Sequence, residues 1–394
     1  MQENKKNTCA YCGDAFVNHT FVYIGNTIAS FMDPYLCWSA RHTPRFIKNF
    51  VDFILKIIFY LIVLLHLGKF SSDIEKSASL RSKVIWEEAI KRNINVEQLI
   101  ILGKPTEQYR FKSNKKYFFY ESLPIPPKLS DKTGLDWDNK FVLKKSFLKD
   151  GIPVPQYGKI PFFLNNKVSK LFEKFNKPII VKPISGSRGR HTTTNIFTFN
   201  EFNSAIVTGR MISPSLVAEE HLFGYVCRAT LVNGKLAGFY RAESPSIVGD
   251  GIKTVAELIK EKDENRLERV SSVPMSKEIE EYVLRLGYAM NSVLPKDQKI
   301  FLTHRTGRYF GGKTKEMLDE LHPSFVPILE KAAKITKLPI IGFDCIILNP
   351  EEDEKKQRWG IIECNTLPFI DLHYFALEGK NKNIAGMIWD LWDL

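Results

Sequence analysis

Apolar and polar positions repeat with two different periods along this chain, and the switches between them mark out its parts. Residues 50–70, FVDFILKIIFYLIVLLHLGKF, are the most apolar stretch of the sequence. About 18 apolar residues there could just cross a bilayer. Asp52, Lys56, Tyr60 and His66, however, fall near one stripe at helical spacing, as on an amphipathic helix. Arg41, Arg45 and Lys48 precede the stretch, so a span would keep the N-terminus inside and export everything after it. The pattern therefore predicts a helix that touches a membrane surface or is buried in a core, in preference to a span.

Beyond it, Leu80, Val84, Ile85, Ala89 and Ile90 carry a helical period within 73–100, leading to a short strand at 99–102. The Pro-, Asp- and Gly-containing stretch 122–139 reads as a linker. KFVLKKSFLKD then predicts a helix stopped at Gly151, and PIIVKP (178–183) and LVAEEHL (216–222) predict strands. VCRATLV-NG-KLAGFYR (226–241) reads as a hairpin turned by Asn233-Gly234, and Thr254 with Glu257 forms a capping box. The helix 322–336 leads into LPIIGFDCIIL (338–348), which pairs antiparallel with WGIIECN (359–365) across a charged turn. The class is α+β, in three parts: 1–72, a small α/β region 73–130, and 131–394.

Composition changes this picture little. The net charge of +12 is spread, with 18 basic and 11 acidic residues in 1–130 and 38 against 33 in 131–394. Basic blocks interleaved with aromatics are absent from the sequence, which argues against nucleic acid; an anionic substrate, ATP or an anionic membrane surface each suits such a chain. Six scattered cysteines and a polar first 20 residues fit a reducing, cytoplasmic setting without a secretory signal.

Candidate chemistry sits in five places. VKPISGSRGRHTTTNI (181–196) is not a Walker loop, because Lys182 precedes its glycines and a strand follows. It reads as a hairpin loop in which Gly186, Ser187, Arg188, Gly189 and Arg190 could close over phosphates, or as an ordinary basic turn. Asp344, Glu363 and Asn365 sit on adjoining strands, the last two sharing one face, and offer hard ligands for Mg²⁺. LVAEEHLFG, with Glu219, Glu220 and Leu222, could be a hinge whose backbone meets an adenine edge, and HRTGRYFGG (304–312) could hold an anion. CAYC at 9–12 supplies two zinc ligands, which Cys37, His19 or His42 could complete; two ordinary thiols are the plainer reading.

In order, these pieces, with NKFVLKKSFLKDGIPVP, SIVGDGIKTVAELI and the ending ALEGKNKNIAGMIWDLW, resemble the ATP-grasp family over roughly residues 131–394. The nearest branch is that of cyanophycin synthetases and bifunctional glutathione-synthesising enzymes, marked most specifically by Val248-Gly249-Asp250-Gly251. The resemblance implies two α+β subdomains clasping ATP, behind an N-terminal helical appendage. It implies that Lys140 and Lys182 contact nucleotide phosphates, that Gly186 to Arg190 fold over them, and that Glu219 to Leu222 read adenine. Asp344, Glu363 and Asn365 match magnesium ligands (Mn²⁺ would also serve), and Arg228 and Arg305 match positions that meet phosphate or substrate carboxylate.

The implied reaction is attack of a carboxylate on the γ-phosphate, then displacement of phosphate by an amine to leave an amide. Val226 stands where the family places an acid for the ribose, Ser246 where close relatives carry histidine, and TLPFIDLH replaces a small-residue turn, so the acceptor is expected to differ. No Mur-ligase-like half follows residue 394, so a full cyanophycin synthetase is not expected. The expected activity is an ATP- and Mg²⁺-dependent carboxylate–amine ligase acting on small molecules or peptides, with the pairing of two chains left open. Its rivals are a phosphotransferase of the same fold and a catalytically lapsed ATP-binding scaffold at a membrane surface.

Overall fold

The computed structural model describes residues 9, 11, 12, 17–129, 137–160, 162, 167–184 and 189–392. Two helices, α1 (His19–His42) and α2 (Arg45–Leu64), open the chain. Strand β1 (Gly68–Ser71), helix α3 (Leu80–Lys91) and strands β2 (Val96–Ile101), β3 (Lys104–Ser113) and β4 (Lys116–Glu121) follow. These four strands form one antiparallel sheet in chain order. No helix among the described residues is long and apolar enough to cross a membrane.

Two members of the stripe that the sequence marks as polar on α2, Lys56 and Tyr60, meet the first sheet. Tyr60 packs on Phe70 and Phe119, and the Lys56 ammonium lies over the Phe119 ring. His66 lies beyond the helix at φ +58°. The apolar face is left outward: Phe46, Phe50, Phe53 and Leu64 are exposed. Aromatic and stacked-cation contacts with the sheet position this helix, and simple amphipathic docking does not.

Next come α4 (Lys140–Lys149), β5 (Tyr157–Ile160), α5 (Lys167–Glu173), β6 (Ile179–Pro183), β7 (Thr193–Ile196), α6 (Phe199–Arg210) and β8 (Leu216–Glu220). Asn139 caps α4 by accepting from the N–H groups of Phe141 and Val142. The sheet order is β5-β8-β6-β7, all antiparallel, with α5 and α6 burying Phe172, Phe202 and Ile206 against it.

The remainder holds β9 (Tyr225–Val232), β10 (Lys235–Ala242), β11 (Ser246–Val248), α7 (Val255–Glu264), α8 (Lys277–Arg285), β12 (Lys299–Phe301) and β13 (Thr314–Glu316). It closes with α9 (Phe325–Thr336), β14 (Ile340–Ile347), β15 (Gly360–Asn365), α10 (Asp371–Tyr374) and α11 (Ile384–Trp389). A five-stranded sheet runs β13-β10-β9-β14-β15. Asn233 and Gly234, both at positive φ, make the tight turn of its central hairpin, as their sequence requires. Thr254 and Glu257 form the capping box of α7.

Phe325, Leu329, Ala332 and Ala333 of α9 and Leu143 and Phe147 of α4 cover one face of this sheet, forming the largest core. Strand β14 is buried along almost its whole length, which is why its sequence is apolar without alternation. The chain then returns to its first sheet, where Trp389 buries its ring and donates its indole N–H to the Ile85 carbonyl at 3.0 Å.

Candidate active site between two sheets

Helix α4 lies between the four-stranded β5–β8 sheet and the five-stranded sheet, and its Lys140 and Lys144 are one turn apart on one face. Both side chains are buried. Lys144 Nζ reaches Glu219 Oε1 of β8 at 2.9 Å and donates to the Ile362 carbonyl at 2.7 Å. Lys182 Nζ, from β6, reaches the other oxygen of Glu219 at 2.9 Å. The register explains the meeting: Lys182 and Glu219 stand on adjacent strands, where Lys182 pairs with Val217 and Glu219 with Ile180. One carboxylate therefore holds two ammonium groups. Burial pushes Glu219 up, but Lys144 and Lys182 outweigh it and hold it below its ordinary range. Burial brings the Lys144 ammonium down to about 8, against the pull of Glu219.

The facing sheet supplies the opposite arrangement. Asp344 on β14 lies directly across from Glu363 on β15 and Arg228 on β9. Arg228 forms a bidentate pair with Asp344, its Nη2 donating at 2.9 Å. Lys140 Nζ lies 3.2 Å from Glu363. Burial and the neighbouring Glu363 charge push Asp344 up although Arg228 pulls it back, whereas Lys140, an Asp344 hydrogen bond, Lys182 and Arg228 overcome burial and hold Glu363 down. Two adjacent carboxyls thus titrate apart, and a cation between them would take the place of their shared proton.

Beside these carboxylates, Arg228 Nη1 and Asn365 Nδ2 are buried donors with no hydrogen-bond partner among the described residues. A buried orphan guanidinium nitrogen beside carboxylates fits an anion that completes the site. Two carboxylates and an amide oxygen, with no thiol or imidazole among them, also fit a hard divalent ion such as Mg²⁺.

The remaining residues expected from sequence are placed as follows. Gly186, Ser187 and Arg188 lie outside the described residues. Gly189, at φ +64°, packs so closely on His304 that a Cβ would come within 2.9 Å of its ring, and its carbonyl accepts from His304 Nε2 at 3.1 Å. The Glu220 side chain pairs with Arg358 and accepts from the Gln156 N–H. Its own N–H donates to the Gln156 carbonyl and that of His221 to Pro178, while Leu222 follows as a buried side chain. Val226 lies in β9 opposite Ala242 and Ile346.

Arg305 is not with Arg228: it pairs with Glu278 at 3.0 Å and donates to the Tyr11 carbonyl at 2.8 Å. Lys144 belongs to the NKFVLKKSFLKDGIPVP motif but is given no role in the sequence reading, and His373 is not singled out at all. His373, from TLPFIDLH, is fully enclosed between Thr230 at 2.7 Å and Glu316, and braces the sheet.

No family model matches the chain. It is 28% identical over 336 residues to cyanophycin synthetase of a Nostoc species, covering 81% of this chain and 36% of that protein. It is equally 28% identical over 324 residues to the glutathione biosynthesis bifunctional protein GshAB of Clostridium perfringens, covering 79% and 41%. The crystal structure of a bifunctional glutathione synthetase from Pasteurella multocida superposes with a TM-score of 0.52 at 21% identity, over 79% of this chain and 44% of that one. This is an ATP-grasp fold.

Its sequence relatives are the cyanophycin synthetases and bifunctional glutathione-synthesising proteins. The ATP-grasp chain spans less than half the length of either relative. Residues 131–394 are 264 of 394, so a match over 81% of the chain takes in part of the sequence before residue 131 as well.

Proposed function

We propose that this ATP-grasp chain is an ATP- and Mg²⁺-dependent ligase that joins the carboxylate of an amino acid or peptide to an amine through an acyl phosphate. One observation carries the reading: Lys140, Lys144, Lys182 and Arg228 are gathered around Glu219, Asp344 and Glu363 at the junction of two sheets. Burying four cations is costly unless carboxylates and a further anion neutralise them. A polyphosphate and a second carboxylate are such anions. Lys140 and Lys182 are suited to bind the phosphates, and Arg228 Nη1 to orient the carboxylate that attacks. Asp344, Glu363 and Asn365 would hold Mg²⁺, which when bound neutralises charge on the transferring phosphoryl group. The N–H groups of Glu220 and His221 are already taken, so an adenine edge read through N–H falls to Leu222. Gly186 to Gly189 would exclude water from the acyl phosphate.

The test is Mg²⁺-dependent ADP release by the purified chain against pooled amino acids and dipeptides. Release that requires one pool, and that K182A and E363A abolish, is the expected result. Phosphorylated product without amine consumption would replace the ligase by a phosphotransferase, and ATP binding without ADP from any pool would leave a scaffold.

A second reading concerns helices α1 and α2, where Phe21, Phe31, Trp38, Phe46, Phe50 and Leu64 are exposed. Apolar surface on that scale marks contact with another surface. We infer peripheral binding to an anionic lipid surface, which suits a chain of net charge +12. Flotation with phosphatidylglycerol vesicles should carry the chain upward. A chain that stays behind and sediments as a dimer would assign these helices to a second copy.

A further inference from the structure

Cys9, Cys12, His19 and His191 place four ligand atoms within 4.8 Å of one another, two thiol sulfurs and two imidazole nitrogens. Cys12 Sγ lies 3.2 Å from Nε2 of His19 and 3.2 Å from Nε2 of His191, and Cys9 Sγ lies 3.8 Å from the latter. In a tetrahedral zinc site with Zn–S of about 2.3 Å and Zn–N of about 2.0 Å, sulfur and nitrogen ligands are separated by roughly 3.5 Å. The observed separations straddle that value. We propose that these four residues hold one zinc ion, and that the ion fastens the N-terminal segment to the end of the glycine-rich phosphate loop.

The local chain is built for it. Cys12 donates its N–H to the Cys9 carbonyl at 3.0 Å, closing the turn that brings both sulfurs to one side. His19 opens α1 directly after its cap, Asn18. His191 is fully buried and sits at φ +51°, an uncommon conformation for which histidine is one of the better suited side chains. Its Nδ1 faces the Thr208 carbonyl at 2.8 Å. A carbonyl only accepts, so the proton is on Nδ1 and the Nε2 lone pair points at the two sulfurs. That outer hydrogen bond is the usual means of orienting a ligating imidazole. Two thiols and two imidazoles favour zinc over Mg²⁺ or Ca²⁺, and binding releases the two thiol protons to solvent.

The turn is also tied to the loop without the ion. The Tyr11 carbonyl accepts from the His191 N–H at 3.2 Å and from Arg305 at 2.8 Å, and the Tyr11 hydroxyl donates to Glu281 at 2.7 Å. His191 is two residues past Gly189, so an ion on its imidazole anchors the strand-side end of the loop that closes over phosphates. The sequence suggested Cys37, His19 or His42 as partners for CAYC. His19 is one; His42 instead stacks on Trp38 and bonds its carbonyl, and the Cys37 side chain lies outside the described residues.

The site is independent of what the chain ligates, and its test does not use turnover. The full chain, purified without chelators, should contain about one zinc per molecule by mass spectrometry. Cobalt exchanged into it should show thiolate-to-metal charge transfer and the intense visible bands of a tetrahedral ion. In competition with a chromophoric chelator, C12S and H191A should bind zinc at least about 10-fold more weakly, whereas H42A should match the parent. If H191A does not fold, C9S and H19A on the exposed edge of the site serve instead. Removing zinc from the parent should speed hydrogen exchange at residues 189–196 and leave β14 unchanged. Absence of zinc together with a featureless cobalt titration would overturn the proposal, as would a Cys9–Cys12 disulfide in the freshly isolated chain. Zinc held equally well by H191A would remove the link to the loop.

Discussion

At the junction of the two sheets, Lys144, Glu219 and Lys182 lie buried, while on helices α1 and α2 Phe31, Phe46 and Phe50 face outward. Each region reverses the ordinary partition of residue types, and the reversals have different physical standing. A buried charge is tolerated only when opposite charge and hydrogen bonds surround it, so every member of the cluster depends on the others. An exposed aromatic ring depends on nothing in the folded chain. It forgoes burial, at about 25 cal/mol per Å², until another surface covers it. The same reversal thus signals strong coupling in one region and an unused interface in the other.

The largest effect should come from breaking the cluster at its centre. Glu219→Gln leaves two ammonium groups facing each other in the core and should cost about 3–5 kcal/mol of stability, read by urea unfolding. Loss below about 1 kcal/mol would mean that the lysines swing out to water. Phe343→Ala, in the covered sheet, should cost a similar 3–5 kcal/mol. Phe50→Ala, the same change on α2, should move stability by no more than about 0.5 kcal/mol. A Phe50 cost near that of Phe343 would show that this face packs in solution and would end the contrast.

On activity, Lys182→Ala should lower ADP release by about 100-fold or more if, as proposed, its charge meets the transferring group. Phe50→Asp should leave release unchanged while reducing vesicle flotation.

The smallest effect is one of pH. Burial, with Arg305 adding to it, brings His304 down to about 4, so the folded chain refuses a proton that the unfolded chain accepts below about pH 6.5. Stability from this group is complete above that value and is lost as pH falls from 6.5 toward 4. His304→Asn should flatten that part of the curve in thermal melts.

Much of the site was legible because the paired residues announce themselves by type and by strand. Glu363 and Asn365 share one face by alternation, on a strand that the apolar runs pair with that of Asp344; Arg228 is marked only by the family resemblance, and the register of β9 against β14 sets it opposite Asp344. Lys144 was not legible as a partner of Glu219, because its helix repeat is equally that of a solvated face. Only the packing of α4 between two sheets makes it a buried ion.

What the sequence determined by itself is local: the cap at Asn139, the capping box at Thr254 and Glu257, the Asn233-Gly234 turn, and the strand and helix periods around the carboxylates. These follow from dihedral preferences and hydrogen bonds within a few residues, and they hold wherever the segment is placed. The tertiary structure alone decided the rest. It turned Lys56 and Tyr60 of α2 toward a sheet whose Phe119 arrives far later in the chain. It also set His191 beside Cys12, 179 positions earlier, at 3.2 Å. Contacts of that separation depend on how sheets and helices close on one another, which no repeat in the sequence encodes.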